Sequence, residues 1–137
     1  MQSFCRQRYK SLKTQITILL PNSVTVAVLT CAAPMLQNGL QGLTQEQYRS
    51  LLARRTDGIL CVAAHLGYRA LVLGAFGCGA FGNDASIVSE IFRSSLEHYC
   101  QPPFWISRDF HIIDFAVLDN SEQQRNIKAF SAAFSKP

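Results

Sequence analysis

The chain has 137 residues, 48% hydrophobic and 16% charged, which fits one compact domain and excludes a disordered chain. No uninterrupted apolar run reaches the roughly 18–20 residues of a membrane span, and a chain this long buries a core without disulfides or metal. Of 13 basic residues, Arg6, Arg8, Lys10 and Lys13 stand in an acid-free stretch at the start, leaving a neutral body; such a tail is weak evidence for nucleic acid, and residues 1–23 read as a solvated basic arm.

Lys10 and Lys13 ahead of the apolar Val24–Cys31 give the outline of a secretory signal, but Pro21-Asn22-Ser23 interrupts it and the charged lead is too long. Residues 16–20 read as a short strand. Val24-Thr25-Val26-Ala27-Val28-Leu29-Thr30-Cys31 is β-branched and apolar on both faces, the pattern of a strand between two helical layers. Pro34 and Asn38-Gly39 then make a loop. Thr44 with Gln47 forms a capping box that opens a helix, whose apolar stripe is Tyr48, Leu51, Leu52, Ile59, Val62, Ala63 and Leu66. Gly67 is placed to close that helix in the left-handed conformation. Arg69–Leu73 is a second strand, so Val24–Leu73 reads as a right-handed β-α-β unit. A helix follows from Ala85 to Tyr99, capped by Asp84 and ended by Pro102-Pro103. Phe110–Leu118 is a third strand. A last helix runs from Ser121, with Gln124 completing a second capping box, to Phe134.

Between the second strand and its helix lies the densest signal: Gly74-Ala75-Phe76-Gly77-Cys78-Gly79-Ala80-Phe81-Gly82-Asn83-Asp84. Glycines permit positive φ and close approach of a ligand to the backbone. Converging amides at a helix N-terminus suit a phosphate or diphosphate. A ligand-free tight turn needs one glycine, whereas here four fall within nine residues. Gly77-x-Gly79-x-x-Gly82 also spells the dinucleotide fingerprint, but the next strand ends near Asp119, too far on for its acidic partner. A P-loop is excluded because no Lys-Ser/Thr pair follows. Phe76 reads as a core anchor and Phe81 as a ligand contact.

Other candidates are weaker. The five cysteines, Cys5, Cys31, Cys61, Cys78 and Cys100, are odd in number and form no C-x-x-C pair, so they read as reduced thiols of a cytoplasmic protein rather than a disulfide or zinc framework. Cys78 stands near a helix N-terminus, where thiol pKa values fall, yet the simpler reading is a small side chain in a tight loop. His65, His98 and His111 share no ligand spacing, so no metal site is expected. Arg55 is expected to pair with a carboxylate such as Asp114. Asp114 and Asp119 read as capping or ion-pairing residues.

Residues 71–84 resemble the macrodomain superfamily, specifically its microbial-type poly(ADP-ribose) glycohydrolase branch. Supporting segments are Val28–Pro34, the helix with Arg55 and Ile59-Leu60, Phe115–Asp119, and Asn126 with Phe130 and Phe134; together they cover residues 24–134. The resemblance implies an α/β fold, a three-layer α/β/α domain with a mostly parallel sheet, of which 24–137 would be the C-terminal half, truncated at its N-terminal side. It implies that Gly77, Cys78, Gly79, Ala80, Phe81, Gly82 and Asn83 bind the diphosphate and distal ribose of ADP-ribose. Asn83 would brace the loop and Asp84 would cap the helix beneath. Three features depart from the family pattern: no Gly-Gly-Gly…Gln-Glu-Glu segment supplies a catalytic glutamate, Met35 replaces an Asn, and Ala85 replaces a Pro.

The expected partner is therefore ADP-ribose or an ADP-ribosylated protein, with no cofactor, no membrane and no nucleic acid. The chain by itself is expected to lack glycohydrolase activity, since glycosidic cleavage needs an acid to protonate the leaving oxygen. One sheet edge is expected to be covered by the N-terminal arm, a second copy, or a separate chain carrying the missing half. The rivals are a degenerate domain serving as a protein-interaction module, one half of a split glycohydrolase, and a Rossmann-type enzyme half that prefers NAD.

Overall fold

The computed structural model describes residues 6–11, 22–99 and 110–135. Three strands alternate with three helices: β1 (Arg6–Ser11), α1 (Gln45–His65), β2 (Ala70–Leu73), α2 (Ala85–Tyr99), β3 (Ile112–Val117) and α3 (Arg125–Phe134). The strands form one parallel sheet in the order β1-β3-β2. Ile112 of the central strand stands in register with Ala70 on one side and Arg6 on the other. The α/β class and the parallel sheet are as expected.

Two strand assignments change. The basic arm contributes β1, which covers one edge of β3. The alternation of Arg6, Arg8 and Lys10 with Gln7, Tyr9 and Ser11 has the two-residue period of a strand, and reading that stretch by charge alone hid it. Conversely, residues 24–31 form no strand. Their apolar alternation is present, but no other strand pairs with them among the described residues, and a strand exists only as part of a ladder. Val24, Val26 and Val28 are left 67%, 72% and 84% exposed. The β-α-β unit expected over Val24–Leu73 is therefore not formed; the parallel unit is β2-α2-β3. The expected strand at 16–20 and the Pro102-Pro103 stop lie outside the described residues.

Helix α1 starts as predicted. Gln47 N–H donates to Thr44 Oγ1 at 3.1 Å and Thr44 N–H to Gln47 Oε1 at 2.8 Å. Gly67 follows its end at φ +77°. Its buried stripe is Tyr48, Leu52, Thr56, Leu60 and Ala63, rotated from the expected one, and Val62 and Leu66 face outward at 43% and 62% exposure. Steps of four from Tyr48 and Leu52 lead through Thr56, whose polarity disguised the face. Helix α3 begins at Arg125, not at Ser121. Ser121–Gln124 is a turn instead, with Gln124 N–H on Ser121 O at 3.1 Å. Asp119 does the capping from the end of β3: its Oδ2 accepts from Asn126 N at 2.7 Å and Ile127 N at 3.3 Å.

A single core draws on all three helices and on β3. Ile113, Phe115 and Val117 alternate inward along β3. Phe115 meets Phe92 of α2 edge-on at 5.4 Å and stacks on Phe134 of α3 at 4.5 Å, the geometries that aromatic pairs favour. On the other side of the sheet Val72 and Ile112 stay exposed. The core thus fixes the C-terminal ends of β2 and β3 and the N-termini of α2 and α3 at one place.

Candidate functional site

The loop after β2 is two successive turns. Cys78 N–H closes the first on Ala75 O, and Gly82 N–H closes the second on Gly79 O, both at 3.0 Å. Gly77 adopts φ +73° to make the first possible. Asn83 N–H returns to Gly77 O at 3.0 Å, and Leu36 N–H donates to Phe81 O at 2.7 Å. The amides of Cys78, Gly82 and Asn83 are therefore spent inside the loop. Those of Gly77, Gly79, Ala80 and Phe81 donate to nothing among the described residues.

Asn83 holds the loop in place. Its side chain is buried, with Nδ2 donating to Pro34 O at 2.7 Å and to Gly77 O at 3.0 Å. Its Oδ1 accepts from the Tyr48 hydroxyl at 2.9 Å. One amide thus joins the loop, the 32–36 segment and α1. The bracing role that the resemblance implied for Asn83 matches this geometry. Asp84 accepts from Ser86 N–H at 2.7 Å and caps α2.

Beside the loop lies a hollow of about 800 Å³ between the start of α2 and the start of α3, lined by Cys78, Asn83, Ser86, Asp119, Arg125 and Lys128 among others. It opens at the C-terminal ends of parallel strands β2 and β3, the usual place for a ligand in open α/β sheets. Asp119 is held down to about 2 by the Ser121 hydroxyl first, then by the backbone amides of Ser121, Asn126 and Ile127. Phe76 packs against the core as expected, while Phe81 is 39% exposed.

Cys78 behaves opposite to an activated thiol. Burial pushes it up to about 12, with the Asp84 charge adding to the effect. Tyr48 is also pushed up to about 12, by burial first and then by Cys78 and Asp84. Both groups are kept neutral by the fold. Their contribution to stability is whole below pH 9 and is lost as the pH climbs through 9–12. Cys78 is therefore expected to resist iodoacetamide at about pH 8 in the native protein while exposed Cys31 is modified, and denaturant midpoints are expected to fall steadily above about pH 9. Native-state labelling of Cys78 as fast as Cys31 would refute this placement.

Arg55 does not meet Asp114. Its Nη1 donates to Ala32 O, because it lies on the flank of α1 next to the 32–36 segment. Asp114 alternates with Ile113 and Phe115 on β3 and turns away from the helices; its Oδ1 is buried with no hydrogen-bond partner among the described residues. Among the described residues no three His, Cys, Asp or Glu side chains converge, and no helix is long and apolar enough to cross a membrane. Asp119 caps, as one of its two expected roles; that α3 is the helix it caps was not legible, because the tie spans seven residues rather than three.

No protein-family profile matches the chain, and no curated protein does. Solved structures do. Crystal structures of poly(ADP-ribose) glycohydrolase from Deinococcus radiodurans in complex with ADP-ribose share 36–37% identity; one superposes with TM-score 0.73 over 85% of this chain and 46% of that one. The same enzyme in apo form gives 36%, TM-score 0.68 and the same coverage. Poly(ADP-ribose) glycohydrolase from Thermomonospora curvata gives 35% and TM-score 0.58, over 67% of this chain and 32% of that one. The chain spans less than half the length of the structures it matches. The resemblance read from residues 71–84 is borne out, and the fold is that of the macrodomain-like part of these proteins.

Proposed function

We propose, on the premise that this chain is a structural relative of the bacterial poly(ADP-ribose) glycohydrolases over less than half their length, that it binds ADP-ribose through Gly77–Asn83. The observation that carries this reading is the run of unspent amides at Gly77, Gly79, Ala80 and Phe81, beside an open hollow at the strand ends. Four uncommitted N–H groups in a glycine-rich loop are the chemistry a diphosphate needs. The capping carboxylates of Asp84 and Asp119 already take up part of the two helix dipoles, so the loop amides are the main source of affinity. Phe81 offers its exposed ring to the distal ribose, and the hollow takes the rest of the nucleotide.

The chain by itself does not cleave the glycosidic bond. A general acid must hold a proton near neutral pH. Asp119 is held near 2, and Asp84 is committed to capping α2. Free Cys31, Cys61 and Cys78 suit a reducing cytoplasm.

Titration calorimetry with ADP-ribose is expected to show saturable binding below about 1 mM, a weak but specific affinity of roughly −4 kcal/mol or better. Phe81→Ala is expected to weaken it by about 1 kcal/mol without lowering the melting temperature, because the ring is part-exposed. Absence of heat from folded protein would refute the binding reading, and stronger binding of NAD than of ADP-ribose would favour a dinucleotide enzyme instead. Release of ADP-ribose from poly(ADP-ribose) by this chain alone would refute the inactivity.

A further inference from the structure

The hollow beside the glycine loop has two walls of different chemistry. One belongs to the loop and the start of α2, with Cys78, Asn83 and Ser86; the other belongs to the turn after β3 and to α3, with Ser121, Arg125 and Lys128. Arg125 and Lys128 stand three positions apart, so they share one side of the helix. Both are exposed, and neither side chain has an ion-pair or hydrogen-bond partner among the described residues. The carboxylates at the hollow are already engaged. Asp119 Oδ1 accepts from Ser121 N–H at 2.9 Å and from the Ser121 hydroxyl at 2.6 Å, and its Oδ2 takes the amides of Asn126 and Ile127. Asp84 Oδ1 accepts from Ser86 N–H. Two amides at the start of α3 are therefore spent, and what that wall still offers is the pair of cations.

Amides in a loop spread their donors along a diphosphate, whereas guanidinium and ammonium groups suit a compact phosphate with charge-assisted bonds. In dinucleotide-binding α/β sheets an arginine serves in this way for a phosphate on the adenosine ribose. The hollow holds about 800 Å³, toward the upper end of small-molecule sites. A ligand with only one diphosphate, held by the loop, would leave Arg125 and Lys128 unmatched on the far wall.

We propose that Arg125 and Lys128 form a second anion subsite across the hollow from the glycine loop, for a ligand that carries a phosphate beyond the diphosphate of ADP-ribose. Two sources share that chemistry: a phosphate ester on the adenosine ribose, and the neighbouring diphosphate of an ADP-ribose polymer. The subsite rests on the reading that the loop holds a diphosphate, and it adds selectivity to that site.

The test is calorimetric titration of the full chain with ADP-ribose, with ADP-ribose phosphorylated on its adenosine ribose, and with a short poly(ADP-ribose) oligomer. At low salt at least one of the last two is expected to bind at least roughly tenfold more tightly than ADP-ribose, and the gain shrinks as salt rises. A gain with the phosphate ester alone identifies that source, and a gain with the oligomer alone identifies the polymer. In Arg125→Gln/Lys128→Gln the ratio of affinities falls to about one, and either single substitution takes away part of the gain. Both side chains contact solvent, so the variants fold, as circular dichroism will show. Arg54→Gln removes a charge of the same sign from an exposed position of α1 and leaves the ratio unchanged. Equal affinity for all the ligands, or a gain that survives the double substitution, would overturn the second subsite and leave ADP-ribose binding standing. No heat with any of them from folded protein would overturn the loop reading and the subsite together.

Discussion

Gly77→Ala is expected to cost about 3 kcal/mol of stability and to abolish ADP-ribose binding. Two effects add. Alanine is strained at φ +73°, by about 1 kcal/mol. Its Cβ would also strike the Asn83 Nδ2 and Ala33 Cβ atoms, and both neighbours are buried and unable to yield; such overpacking costs about 1–3 kcal/mol. The melting temperature should fall by roughly 10 °C. Gly79 is the control two residues on, with nothing within 4 Å of its would-be Cβ, and Gly79→Ala should melt close to the wild type. Equal melting of the two variants in calorimetry would show that the loop does not have the tight first turn described here.

Asn83→Asp should be nearly as damaging, although it changes one atom. The new oxygen replaces the Nδ2 donor and faces two carbonyl oxygens, Pro34 O and Gly77 O. Two hydrogen bonds become repulsions in a buried place, and the carboxylate loses hydration. A loss of about 3 kcal/mol or more is expected at about pH 7, a large share of the roughly 5–15 kcal/mol that holds a domain together. The introduced carboxyl would have its pKa raised by burial, so the variant should regain stability as the pH falls and the acid form supplies an O–H donor. Urea midpoints at about pH 5 and about pH 7 measure this. A variant equally stable at both would mean that Asn83 is not enclosed by those carbonyls.

Much of this was legible in the sequence because it was written locally. The capping box at Thr44 and Gln47, the left-handed Gly67, the Asp84 cap and the glycine loop each depend on residues within a few positions, and each is found in place. What could not be read depends on distant partners. Residues 24–31 have the composition of a strand, but the ladder that would make them one is not formed. Arg6–Ser11 lacks aliphatic residues and is a strand because β3 offers it an edge. The Asp119 cap on α3 reaches across a turn, and Arg55 takes a carbonyl that only the folded 32–36 segment presents. Within the site, the division between spent and unspent amides is a property of the two turns and not of the glycine count.

The threefold tie made by Asn83 has an evolutionary corollary. Gly77 and Asn83 hold α1, the 32–36 segment and the loop together whether or not a nucleotide is present. A lineage that ceased to use the ligand would still be penalised for changing either residue, while Ala80 and Phe81, which no internal contact protects to the same degree, would be free to drift. Descendants with an intact Gly77 and Asn83 but varied residues at 80 and 81 would thus be recognisable as having kept the scaffold and abandoned the cargo.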